Sequence, residues 1–129
     1  MNNVMKKQSF TIPYPPTKAG RAAWARQYGL NAYYSGKPWP VRKRDAEYWH
    51  RLTRYEMHRQ GATKMFDRPV IVSFYWQDRL DIDNHAVMGK MIVDAMKGVL
   101  IKDDNRANLK GVAHFWHDDD NILIVIEEV

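Results

Sequence analysis

From Pro69 to Trp76 the chain reads Pro-Val-Ile-Val-Ser-Phe-Tyr-Trp, a β-branched and aromatic run that predicts a strand, with Gln77 to Leu80 as its extension. Further on, Val87, Met88, Met91, Ile92, Ala95, Met96 and Val99 recur at steps of three and four. That period is one apolar stripe of an α-helix. Gly98 and the polar stretch Lys102-Asp103-Asp104-Asn105 turn the chain back after it. An earlier helix is bounded by Pro40, suited to a first turn, and Gly61, suited to a stop. Between them lies Val41 to Gln60, with Tyr48, Trp49, Leu52 and Tyr55 as the expected apolar side. The last segment predicts a β-hairpin: Leu109 to His117, a turn at Asp118-Asp119-Asp120-Asn121, and a return strand from Ile122 to Glu128. Thr17 to Leu30 receives no role from its pattern.

Bulk properties narrow the picture. A chain of 129 residues makes one domain with a sizeable core. Its longest clearly apolar run, Ile122 to Ile126, falls far short of a membrane span, and Met1 to Phe10 lacks the apolar core of a signal peptide. With no cysteine there is neither a disulfide framework nor a thiolate metal site, and a cytoplasmic protein is expected. The net charge of +5 is unevenly spread. Residues 1–64 hold thirteen Lys and Arg against three Asp and Glu; residues 65–129 hold seven against twelve. Such a split suits a protein that grips phosphates with one part and a metal with the other.

The acidic part has a clear focus. Asp81-Ile82-Asp83-Asn84 precedes the second predicted helix and Asp103-Asp104 follows it. Carboxylates this close repel unless a cation sits among them, which points to a divalent-metal site facing a polyanion. On an extended strand exit, positions two apart share a face at roughly 7 Å, so Asp81 and Asp83 can turn toward one ion. Helix capping is the plainer reading of an acidic residue there. One residue satisfies a cap, and four exceed it. Asp83, Lys90 and Asp94 project from nearly one direction on the helix, and Asp94 lies four residues after Lys90, a spacing that pairs them.

The basic part offers candidates for phosphate contact. Arg44, Arg51, Arg54 and His58 line one side of the first helix. Lys37, Arg42 and Lys43 flank a loop containing Tyr33, Tyr34 and Trp39, aromatics that either pack or stack on unpaired bases. His114 and His117 point to opposite faces of one strand and do not share a ligand. The Asp118–Asp120 triplet is ordinary turn chemistry. His85, just after the acidic pair, is left open among capping, a surface position and substrate contact.

Asp81, Asp83, Asn84, Lys90, Asp94-Ala95 and Asp103-Asp104 together resemble the RusA-type Holliday junction resolvases: Asp-x-Asp-Asn, a helix with a lysine and an Asp-Ala pair, then Asp-Asp. Thr11-Ile12-Pro13-Tyr14-Pro15-Pro16 and Asn31-Ala32-Tyr33-Tyr34 resemble that family's opening strand, prolines and Asn-x-Tyr-Tyr, in the same order along the chain. The family lysine follows the second aspartate by four residues, whereas Lys90 follows Asp83 by seven. It therefore keeps its face but sits about 4.5 Å further along the axis.

The resemblance implies a mixed α/β fold, a single compact domain with one β-sheet packed by helices, in agreement with the strand-helix-hairpin pattern. It implies a crossover-junction endodeoxyribonuclease of DNA recombination and repair, leaving 5′-phosphate and 3′-hydroxyl ends. Phage or prophage origin is the family-level expectation. The expected cofactor is Mg²⁺ or Mn²⁺, hard cations suited to oxygen ligands. Asp81, Asp83 and Asp104 are the expected principal ligands, Asp103 supports them, and Lys90 stabilises the phosphate. Two symmetric cuts in a four-way junction call for a two-fold homodimer. A nuclease for flaps or forks, a non-catalytic DNA-binding protein and a protein-interaction module with an acidic partner are the alternatives.

Overall fold

Alternation builds the sheet. The computed structural model describes residues 6–129, so Met1–Met5, the front of the stretch read for a signal-like core, lie outside it. Phe10 and Ile12 in β1 (Lys7–Pro13), Val70, Val72, Phe74 and Trp76 in β2 (Val70–Trp76), and Ile122, Ile124 and Ile126 in β4 (Asn121–Glu128) all face one side and are buried. Their partners on the opposite face, such as Ile71, Tyr75, Leu123 and Val125, are only half-buried. Helices therefore cover one face of the sheet, as a strict two-residue period demands.

The strand order is β1-β4-β2-β3, with β3 at Leu109–Trp116. Strands β1 and β4 run antiparallel, as do β4 and β2, while β2 and β3 are parallel. This corrects the predicted hairpin. β3 and β4 follow one another in sequence, yet β2 lies between them. The reason is visible in the side chains: β4 buries every second residue and takes a partner on each side, whereas β3 is an edge strand with Val112, Phe115 and Trp116 exposed. The Asp118–Asp120 loop thus crosses the carboxyl end of β2.

A parallel pair needs a crossover, and α4 (Ala86–Met96) supplies it. Met88, Met91, Ile92, Ala95 and Met96 of the expected stripe are buried. The first predicted helix is α3, Trp39–Gln60, with Pro40 in its opening turn and Gly61 closing it in the left-handed region at φ 77°. Its buried side is Asp45, Trp49, Thr53, Glu56 and Met57. Tyr48 and Tyr55, expected on that side, are 43% and 63% exposed. The buried stripe includes polar residues that hydropathy alone would place outside. At the other end, Gln60 donates to the Thr11 carbonyl and accepts from its N–H, both at 2.8 Å, which seals the free edge of β1.

Thr17 to Leu30 proves to be mostly helix. α1 (Lys18–Tyr28) is capped by the Thr17 hydroxyl, which accepts from Gly20 N–H at 2.9 Å, and the short α2 (Leu30–Tyr34) follows at once. Trp24 and Tyr28 stack edge-on with Tyr14 and Trp49, closing the core at the carboxyl end of β2. No helix among the described residues is long and apolar enough to cross a membrane.

Candidate functional site

The chain leaves β2 at Trp76 and enters α4 through a single 3-10 turn, Ile82–His85. Asp81 precedes that turn with extended backbone and Asp83 lies within it. Both side chains are exposed, and neither accepts a hydrogen bond or meets a cation among the described residues. Asp81 makes no side-chain cap bond, so capping does not account for it.

Two distant segments hold this turn in place. The Asn84 side-chain oxygen accepts from Asn31 N–H at 3.0 Å, bringing the start of α2 onto the turn. Gly29, at the α1–α2 elbow, packs so tightly that a Cβ there would stand 3.2 Å from the Asn84 amide nitrogen and 3.3 Å from Leu80. Beneath the turn, Tyr14 donates its hydroxyl proton to Asp78 at 2.8 Å and accepts from Gln77 N–H at 2.7 Å. Asp78 in turn meets His85 Nε2 at 2.8 Å. Burial pushes the Tyr14 phenol far above its ordinary range, so it stays a donor.

His85 is fully buried, its ring 4.3 Å from that of Trp76. Of the roles left open for it, surface exposure and substrate contact are both excluded. Asp78 receives no role from the sequence, and Tyr14 enters only as part of the opening segment Thr11 to Pro16, with no bonding partner foreseen. The signal for His85 was present: it lies three and seven residues before Met88 and Ile92, on the apolar stripe itself.

Asp103 and Asp104 do not join Asp81 and Asp83. Asp104 pairs with Lys97 at 3.2 Å and approaches Lys90 at 3.8 Å, while Asp94 pairs with the same two lysines at 3.2 and 3.0 Å. Lys97's hydrogen bond holds the Asp104 carboxyl below the usual carboxylate range, and Asp94 followed by Asp104 raises Lys97. Asp103 is exposed and accepts from Asp104 N–H at 2.9 Å, an ordinary turn contact. Among the described residues no three Asp, Glu or His side chains are gathered to hold an ion. The carboxylate oxygens suit Mg²⁺ or Mn²⁺ by donor type. By position, Asp81, Asp83 and Asp103 have no cationic partner among the described residues, whereas Asp94 and Asp104 are paired with Lys90 and Lys97.

The expected DNA-contacting residues divide in two. Arg42, Lys43, Arg44, Arg51 and Tyr34 are exposed, although Arg42 also donates to the Lys37 carbonyl at 2.8 Å. Arg42 and Lys90 line one groove of about 320 Å³ between α3 and α4, which ends at Ala86 beside the acidic turn. Lys37, Tyr33 and Arg54 are already engaged. Lys37 is 9% exposed and ion-paired with buried Asp45, which also accepts from the Tyr33 hydroxyl at 2.7 Å and from Gln27 at 3.1 Å. Arg54 donates to the carbonyls of Ala95 at 3.0 Å and Lys97 at 2.8 Å, capping the end of α4. These three side chains already have partners within the fold, which the charge pattern alone could not reveal.

No protein-family model matches the chain, and no curated protein sequence matches it.

Proposed function

We propose that the protein is a metal-dependent endonuclease of branched DNA, of the RusA-type Holliday junction resolvase kind. The observation that carries this reading is convergence. Of the segments that bear the resemblance, Asn31 bonds Asn84 within the turn across 53 residues, and Tyr14 bonds Gln77 and Asp78, just ahead of it, across 63 and 64. Unpaired carboxylates on a pinned turn, beside a groove lined by Arg42 and Lys90, suit a phosphodiester backbone.

In this reading Asp81 and Asp83 would hold the ion, with Asp104 a further ligand if freed from Lys97, and the bound ion would supply Lewis-acid chemistry for the attacking water and the phosphoryl oxygens. The chain's own residues do the rest. Arg42, Lys43, Arg44 and Arg51 grip backbone phosphates along α3, and Lys90, 66% exposed, reaches the phosphate nearest the turn. A two-fold pair of such chains places one turn on each of two opposed strands.

A second reading, DNA binding without catalysis, draws on the pairing of Asp104 with Lys97 and Lys90. Incubation of a mobile four-way junction with Mg²⁺ or Mn²⁺ separates the two, with linear duplex and forked DNA as controls. Paired symmetric nicks by the wild type, with Asp83→Asn binding but not cutting, support the resolvase. Cutting confined to forks favours the flap or fork nuclease, and binding that is equal in EDTA with no cleavage favours the second reading.

A further inference from the structure

We propose that Tyr14, Asp78 and His85 form a buried latch that sets the spacing of the Asp81 and Asp83 carboxylates, making all three positioning residues of the site. The inference rests on reading those two aspartates as cation ligands.

The bonds of this trio end almost wholly in the segment that carries the aspartates. His85 Nδ1 meets the Ile82 carbonyl at 3.0 Å, and Ile82 is the one residue between Asp81 and Asp83. His85 Nε2 lies 2.8 and 2.9 Å from the two Asp78 oxygens. Asp78 also accepts from Leu80 N–H at 3.0 Å, and Tyr14 accepts from Gln77 N–H at 2.7 Å. Backbone groups of residues 77, 80 and 82 are thus tied to one buried cluster.

The two ring nitrogens of His85 face the Ile82 carbonyl on one side and the Asp78 carboxylate on the other. Trp76 packs against the ring at 4.3 Å and Trp116 meets it edge-on at 5.5 Å. A buried carboxylate and imidazole are costly to desolvate, and an apolar trio of equal volume would fill this core as well. Such a trio would leave the Ile82 carbonyl unheld. Asp81 and Asp83 receive no side-chain bond of their own, so their placement follows from the backbone that the latch fixes.

The test uses the full chain without DNA. Free Mn²⁺ is titrated by electron paramagnetic resonance against wild type, Tyr14→Phe, His85→Phe, Asp83→Asn and Tyr75→Phe, the last a control on the open face of the sheet. Junction affinity in EDTA and thermal melting are recorded alongside. The latch predicts that Tyr14→Phe and His85→Phe weaken Mn²⁺ binding by about 10-fold or more while junction affinity in EDTA is unchanged and Tyr75→Phe has no effect. Should His85→Phe fail to fold, Tyr14→Phe, which removes one hydroxyl, decides. Wild-type Mn²⁺ affinity in folded Tyr14→Phe overturns the latch while leaving the metal reading intact. Wild-type Mn²⁺ binding that Asp83→Asn does not weaken overturns both.

Discussion

At the amino end of α4, Asp81 and Asp83 stand exposed on a turn tied down by buried hydrogen bonds, and no cation touches them. At its carboxyl end, Asp94 and Asp104 share Lys90 and Lys97 in a charge-neutral network with no buried support. Four helix residues, Ala86 to Gly89, lie between the turn and Lys90, the first member of the second arrangement. The difference is between carboxylates whose backbone is held and whose charge is left over, and carboxylates whose charge is spent on neighbours. Only the first kind is prepared for a ligand from outside. The second is worth little to stability, as exposed pairs generally are.

The comparison can be broken most severely at its first member. Asp83→Asn is expected to lower junction cleavage by about 100-fold or more while leaving DNA affinity and melting temperature near wild type, as loss of a ligand rather than of a fold contact requires. Equal cleavage by the variant would end the metal assignment. Next in size is Arg54→Ala, which strips two charge-assisted bonds from the last carbonyls of α4. It is expected to cost about 1.5–3 kcal/mol in denaturant unfolding, with no loss of DNA affinity beyond that of Tyr55→Phe. A fall in affinity at unchanged stability would return Arg54 to the phosphate-binding set.

Lys97→Ala sharpens the contrast by freeing Asp104. Mn²⁺ binding is expected to tighten a few-fold, about 1 kcal/mol or less, since the pair it breaks is exposed. Unchanged affinity would show that Asp104 takes no part. The smallest effect is a pH dependence of stability. Burial pushes His114 below the ordinary histidine range, and its Nδ1 accepts from the Trp76 indole at 3.0 Å, a bond that only an unprotonated nitrogen can take. With the folded pKa depressed, the stabilisation is fully present above the unfolded value of about 6.5 and is lost as pH falls through the folded value. Melting temperature should therefore drop on acidification below about pH 6.5, and His114→Asn should flatten that slope. An identical slope in the variant would assign the acid sensitivity elsewhere.

Local order was legible where it depends on short spacing. Strand β2, helix α3 and the stripe of α4 follow from periods of two and of three to four, and Pro40 and Gly61 mark the helix ends. Long-range pairing was not. Nothing local distinguishes a hairpin from two strands with a third inserted, and β3 and β4 were joined for that reason. The site was half legible. Asp81 and Asp83 stand out by charge density, but whether a cation is free or already bound to a main-chain carbonyl depends on residues 41 and 43 positions away, as for Arg54. Tyr14 and Asp78 likewise meet across 64 residues, a distance no motif spans.

The sheet order has a consequence for how this chain is made. Strand β4, at residues 121–128, is the link between β1 and β2, and Lys7 finds its partner at Glu127. During synthesis every helix and the other three strands among the described residues emerge before the one that joins them. The nascent chain must therefore hold Phe10, Ile12, Val72 and Phe74 without a central strand to cover their neighbours. Folding of the whole sheet waits on β4, and a chain interrupted before residue 121 leaves β1 with nothing to pair with.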